Sequence, residues 1–220
     1  MVTVLYLIRH GETEGAEKRR YKGSIDVPLS ENGIRQMEQV SAHLVKEINN
    51  CSNPPSPPFS KEGKGGLLTV VYCSDLKRAV KSAEIIAEPY SLNPIVVPAL
   101  RERNFGLWEG MSFDEIREKY PREFDAWAMN PLKFSPIGGE STLEMRERVL
   151  NSLNEIIRNH NSEHIAIVSH GGVNRIILCH LLGIPLENIF RIEQDYAALN
   201  IIEFWEKYPV VKLMNGVTDV

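Results

Sequence analysis

The sequence predicts an α/β fold, a three-layer sandwich in which a mostly parallel central sheet is flanked by helices. Three observations carry that expectation. Apolar runs of strand length alternate with stretches of helical periodicity, the order that builds parallel sheets through right-handed crossovers. The runs are continuously apolar, as strands covered on both faces are. Four of them are followed by a charged or titratable group, namely Arg9 with His10, then Arg78, Glu102 and His170. That is the carboxyl edge at which α/β sheets gather their chemistry.

Composition narrows the class. A chain of 220 residues suits one domain, 1–220, with a core large enough to need no disulfide staples. Its formal charge of -4 provides no global basic field for nucleic acid or anionic lipid, so any anion must be met by local positive charge. Cys51, Cys73 and Cys179 are odd in number and lack Cys-x-x-Cys spacing, which fits a reducing cytoplasm rather than a disulfide framework or zinc knuckle. No export signal or membrane span is expected.

The elements follow in order. Residues 2–8 are apolar and β-branched, a buried strand. Residues 14–23 form a polar, basic loop that leaves from the strand's end, either facing substrate or simply solvated. Ser30 is placed to cap a helix in which Ile34, Met37, Val40, Leu44, Val45 and Ile48 recur at helical spacing through Asn49. The Pro- and Gly-rich stretch at about 49–66 reads as a surface insertion, and its Lys64 lacks the neighbours of a Walker A loop. Residues 67–72 are a second strand. Ser74 or Asp75 is expected to cap the next helix, which places Arg78 in a first turn where the macrodipole disfavours a cation unless an anion is bound.

Residues 94–100 are expected to form a third strand running into Glu102. Ser112 with Glu115 and Ser141 with Glu144 are capping boxes, each opening a helix. Pro121 opens another, with Phe124 and Trp127 apolar. Residues 164–169 are the fourth strand, followed by a helix over 173–182. Two late strands, 199–204 and 210–213, complete the chain, the last at an edge.

The inventory at the sheet edge suggests phosphate chemistry. Arginine keeps its charge, and two arginines facing one cavity repel unless an anion lies between them. Their planar forks match phosphate oxygens. Gly11, Gly171 and Gly172 would let backbone N–H groups approach the same anion. A neutral His10 can act as nucleophile, with its other nitrogen donating to a carbonyl or carboxylate. His170, Arg9 and Arg78 would hold the equatorial oxygens, and Glu102 would protonate the leaving group and then activate water. Glu109 and Glu140 compete with Glu102 for that role. His43, His160, His164 and His180 read as surface or helix-face residues.

Leu7-Ile8-Arg9-His10-Gly11-Glu12-Thr13 resembles the signature of the histidine phosphatase superfamily, the phosphoglycerate-mutase-like fold. Ser74-Asp75-Leu76-Lys77-Arg78-Ala79 resembles its second-arginine segment. Leu100-Arg101-Glu102 with Gly106-Leu107-Trp108-Glu109-Gly110 resembles its acid/base segment, and Ser169-His170-Gly171-Gly172 its second-histidine segment. The resemblance implies His10, Glu102, His170, Arg9 and Arg78 as catalytic residues. Arg9, Thr13, Lys22, Gly23, Arg78 and Gly171 are the expected substrate contacts. One departure stands out: Gly15 and Ala16 replace the family's frequent Trp-Asn, for which Lys22 or Ser24 could compensate.

The branch also follows from resemblance. Gly-x-Trp-Glu-Gly is similar to the phosphatases, and Gly138-Gly139-Glu140-Ser141 and Ile192-Glu193-Gln194-Asp195-Tyr196 to α-ribazole phosphatases and broad-specificity relatives. The implied activity is metal-independent phosphomonoester hydrolysis through phosphohistidine, with no cofactor. The implied substrate is a small phosphorylated metabolite such as α-ribazole 5′-phosphate of cobalamin nucleotide-loop assembly. Alternatives are a phosphoglycerate mutase or a broad-specificity or sugar phosphate phosphatase. A metal hydrolase built on His10, His170 and Glu102 is disfavoured by the neighbouring arginines. Homodimerisation is left open.

Overall fold

The computed structural model describes residues 2–18, 20–51 and 67–217. Most of the Pro- and Gly-rich stretch lies outside the described residues. Six strands form one sheet: β1 (Thr3–Arg9), β2 (Leu68–Cys73), β3 (Ile95–Val96), β4 (His164–Ser169), β5 (Leu199–Phe204) and β6 (Pro209–Gly216). Their order is β3-β2-β4-β1-β5-β6. Strands β1 to β4 run parallel, while β5 pairs antiparallel with β1 and β6 antiparallel with β5.

Side-chain alternation makes the three layers. In β1, Leu5 and Leu7 face one core and Tyr6 and Ile8 the other; in β4, Ile165 and Ile167 oppose Ala166 and Val168 in the same way. Helix α1 (Glu31–Cys51) and helix α2 (Lys77–Ala87) cover the Tyr6 face through Met37, Val40, Leu44, Ala79, Ala83 and Ile86. Between β3 and the second cover lie α3 (Phe113–Lys119) and α4 (Pro121–Met129). Helices α5 (Thr142–Asn159) and α6 (Gly171–Leu182) cover the Leu5 face. Both capping boxes are present, at the starts of α3 and α5. Ser30 Oγ accepts from Gly33 N–H at 3.0 Å, the expected cap of α1.

Three local expectations are corrected. The third strand is only two residues long, because Pro94 and Pro98 bracket it and Pro98 opens a 3-10 turn. Neither Ser74 nor Asp75 caps α2. Ser74 Oγ is turned to His170 Nε2 at 2.7 Å, and Asp75 pairs with Arg101. The cap comes from a distant loop: Asp26 Oδ1 accepts from Lys77 N–H at 2.7 Å. Helix α1 runs two residues beyond the predicted Asn49, to Cys51.

The segment after β1 is pinned to the start of α1. Ser30 N–H donates to the Glu12 carbonyl at 2.9 Å, and Glu12 N–H donates to Gln36 Oε1 at 2.9 Å. The backbones touch: a Cβ on Gly33 would lie 2.0 Å from the Glu12 carbonyl oxygen, and one on Gly11 2.3 Å from the Gly33 oxygen. Gly33→Ala should therefore lower the unfolding free energy by about 1–3 kcal/mol, the usual cost of overpacking. A urea midpoint equal to that of the native protein would contradict this close-packing account.

Candidate active site

The sheet topology brings the ends of β1, β2 and β4 together and delivers Arg9, His10, Arg78 and His170 to one place. The His10 and His170 rings meet edge to face, their centroids 5.1 Å apart. His10 opens on a cavity of about 660 Å³ that Arg9, Thr13, Lys22, Gly23, Arg78, Glu102 and Gly172 also line. His170 forms the layer behind it, fully buried.

The hydrogen bonds of His10 decide its tautomer. Its Nδ1 lies 2.7 Å from the Gly11 carbonyl oxygen, which can only accept, so the proton sits on Nδ1 and the lone pair on Nε2. Burial holds the His10 pKa well below the ordinary histidine value, and the Arg9 and Arg78 charges push it the same way. His170 is also held neutral, by burial first and then by its neighbours His10, Arg78 and Arg9. Its Nε2 meets Ser74 Oγ at 2.7 Å, and that oxygen in turn accepts from Leu76 N–H at 3.4 Å. Nδ1 of His170 is buried with no hydrogen-bond partner among the described residues.

The two arginines are anchored differently. Arg9 Nη1 donates to the Gln194 carbonyl at 2.6 Å, and its buried Nε has no partner among the described residues, leaving one edge of the guanidinium open. Arg78 is 2% exposed, with Nη1 on the Ile25 carbonyl and Nη2 on the Gly23 carbonyl, both at 2.7 Å. Gly23 adopts a φ of 45° and passes so close to Glu109 that a Cβ would lie 2.4 Å from Oε1. The Lys22 ammonium donates to Thr13 Oγ1 at 2.6 Å and to the Glu14 carbonyl, and partial burial followed by the Arg78 charge lowers its pKa. Lys22 thus reaches the cavity, whereas Ser24 does not line it.

Glu102 is separated from its rivals by geometry. Its Oε1 accepts from Arg103 N–H and its Oε2 from Gly172 N–H, each at 2.9 Å. Glu140 is committed to Arg148 and Asn104, and Glu109 to the backbone of Ser24 and Phe105. Gly11 and Gly172 serve packing more than anion binding, which corrects the sequence expectation for these two. Gly11 N–H donates to Ser82 Oγ at 3.3 Å, and a Cβ on Gly172 would lie 2.3 Å from Glu102 Oε1. The small residues let two backbones touch and admit the carboxylate.

Several residues escaped the sequence reading. Arg148 of α5 donates to the carbonyls of Ala99, Arg101 and Glu102, clamping the segment that carries Glu102. Arg103 is buried and ties Glu140, Thr142 and Phe134 to the cavity floor. Asn174, Gln194 and Asn200 form a buried amide chain: Asn174 Nδ2 donates to Gln194 Oε1 at 3.1 Å, and Gln194 Nε2 to Asn200 Oδ1 at 2.9 Å. Asn200 Nδ2 then donates to the Leu7 carbonyl at 2.9 Å. No spacing rule points to these residues, because their partners lie on other elements. His160 and His164 are not simple surface residues. They bond Tyr72 and Tyr6 at 2.8 and 3.0 Å, at the sheet end away from this cavity.

Two histidines held neutral link stability to pH. Unfolding frees both to bind protons below the ordinary value of 6.5, so their contribution is complete above it and is lost as pH falls beneath it. The urea midpoint should drop between about pH 7.5 and about pH 5.5, and drop less in His170→Asn. An equal drop in both proteins would show that His170 does not carry the linkage.

Comparison with known proteins agrees with this fold. Residues 5–51 and 61–216 match the Histidine phosphatase superfamily (branch 1). The chain is 32% identical over 211 residues to Phosphoserine phosphatase 1 of Hydrogenobacter thermophilus, covering 96% of this chain and 91% of that one. It is 25% identical over 212 residues to the adenosylcobalamin/alpha-ribazole phosphatase of Escherichia coli, covering 96% and 95%. Among solved structures, Bacillus stearothermophilus YhfR superposes with a TM-score of 0.82 at 28% identity over 98% of both chains. The chain belongs to the histidine phosphatase superfamily, branch 1, and is a phosphoric monoester hydrolase.

Proposed function

We propose that this phosphatase works through a phosphohistidine on His10, without a metal ion, on a small phosphorylated metabolite. The observation that carries the reading is a neutral His10, protonated on Nδ1, beside two anchored guanidiniums. Its Nε2 lone pair attacks phosphorus in line with the ester oxygen. The P–O bond breaks, Glu102 supplies the proton that the leaving alkoxide needs, and a P–N bond forms. Glu102, now a carboxylate, takes a proton from water as that water attacks phosphorus. The P–N bond breaks, and orthophosphate and neutral His10 are regenerated.

The open edge of Arg9 and the anchored Arg78 hold the nonbridging oxygens, where charge spreads in the transition state, and His170 backs the His10 ring edge to face from the layer behind. Lys22, seated on Thr13, adds charge at the rim. Gly23 serves through its carbonyl, and Gly171 places the start of α6 beside Arg9. Two buried guanidiniums in one cavity oppose a cation, which supports metal-independent chemistry. The buried free thiols of Cys73 and Cys179 fit a reducing cytoplasm.

For the leaving group we infer an ester with an apolar ring. Beyond the charged end, the cavity is walled by Trp108, Trp127, Leu132, Met145, Ile176 and Phe190. Phe190 is 77% exposed at the mouth and could be covered by such a ring. This supports α-ribazole 5′-phosphate. The 32% identity to a phosphoserine phosphatase favours phosphoserine as the second reading. Its carboxylate would have to be met at this mouth by Lys22, Arg20 or Arg175, and its ammonium by Glu187.

A panel of phosphate esters decides between the two. Ring-bearing esters should show kcat/KM at least roughly tenfold above that of phosphoserine, the value of about 1.4 kcal/mol of apolar contact. The reverse order would establish the second reading, and product isomers without free phosphate would establish a mutase. His10→Asn should abolish both turnover and acid-labile phosphoenzyme; normal turnover would end the mechanism. Glu102→Gln should slow esters of poor leaving groups far more than p-nitrophenyl phosphate. Equal slowing would remove Glu102 as the acid.

A further inference from the structure

Tyr196 faces the cavity and has no part in the steps above. It stands in the turn before β5, which is locked against the end of β1. Ala197 N–H donates to the His10 carbonyl at 3.1 Å, and Arg9 N–H donates to the Ala198 carbonyl at 3.0 Å. The Arg9 side chain adds a third tie, its bond to the Gln194 carbonyl at 2.6 Å. Ala197 holds a φ of 57°, a left-handed conformation that turns the chain sharply just after Tyr196.

The ring is placed by these ties. Its centroid lies 4.0 Å from Arg9 Cζ and 5.7 Å from the centre of the His10 imidazole. Stacking of this kind holds the guanidinium plane while leaving its N–H edge free. Arg9, Arg78 and Tyr196 line the same cavity, so the ring edge that is not against Arg9 borders the space where an anion would sit. Its hydroxyl has no hydrogen-bond partner among the described residues, so the O–H is free to donate.

We propose that the Tyr196 hydroxyl donates a hydrogen bond to a nonbridging oxygen of the phosphoryl group, while its ring sets the plane of Arg9. The proposal rests on the phosphohistidine reading. A hydroxyl suits the place: it supplies a donor and adds no further positive charge beside Arg9, Arg78 and Lys22. It also differs in kind from a packing ring, for which phenylalanine would serve equally.

Two variants separate hydroxyl from ring. Tyr196→Phe keeps the stack on Arg9 and removes only the donor; Tyr196→Ala removes both. With p-nitrophenyl phosphate, Tyr196→Phe should lose roughly 10- to 100-fold in kcat/KM, mainly in kcat. Inhibition by orthovanadate, which copies the five-coordinate transition state, should weaken in parallel, and inhibition by orthophosphate should weaken less. Tyr196→Ala should lose more, with KM rising as Arg9 loosens. Wild-type kcat/KM and vanadate inhibition in Tyr196→Phe would overturn the proposal, whether or not Tyr196→Ala is impaired. Failure of the underlying reading would show separately, as a native enzyme that never forms a phosphoenzyme.

Discussion

Two permanent cations, Arg9 and Arg78, are held in one cavity, and most of the local structure serves to keep them there. Burying a guanidinium without a counter-charge costs several kcal/mol, and two of them repel as well. The chain answers with carbonyl dipoles rather than carboxylates: Gln194 for Arg9, and Gly23 with Ile25 for Arg78. Dipoles satisfy the hydrogen bonds and leave the net charge in place.

The neutrality of the histidines follows from that constraint. With the cations fixed beside them and both rings buried, neither His10 nor His170 gains by taking a second proton. The Gly11 carbonyl fixes where the single proton of His10 resides. The loop before β5 completes the site from the strand beside β1. Its carbonyls and N–H groups tie to Arg9 and His10, and its buried amides tie it to β1 and α6 through Leu7 and Asn174. The antiparallel return of β5 beside β1 is thus part of the site as much as of the sheet.

The fold was readable because burial on two faces leaves a plain mark. Strand β4 and strand β5 have the bounds that their apolar runs suggest, and both capping boxes form as their spacing requires. Misreadings came where a local signal was overruled by a distant partner. Ser74 has the residue type of a cap but meets His170 across the sheet, and Asp26, 51 residues from Lys77, takes the cap instead. Two prolines cut the third strand to a pair of residues because an edge gives proline no cost to avoid.

The sequence by itself determined the layer order, the strands that deliver Arg9, His10, Arg78 and His170 to one edge, and the family. Each of these rests on periodicity or on a short contiguous motif. Only the tertiary structure decided that Gly11 and Gly172 pack rather than cradle, that Glu102 lines the cavity while Glu109 and Glu140 are engaged outside it, and that Arg148, Gln194 and Tyr196 surround the centre. The physical reason is range. A cap or a stripe is written within one turn of helix or strand, whereas a hydrogen-bond partner 70 or 185 residues away is chosen by where the sheet brings the backbone back.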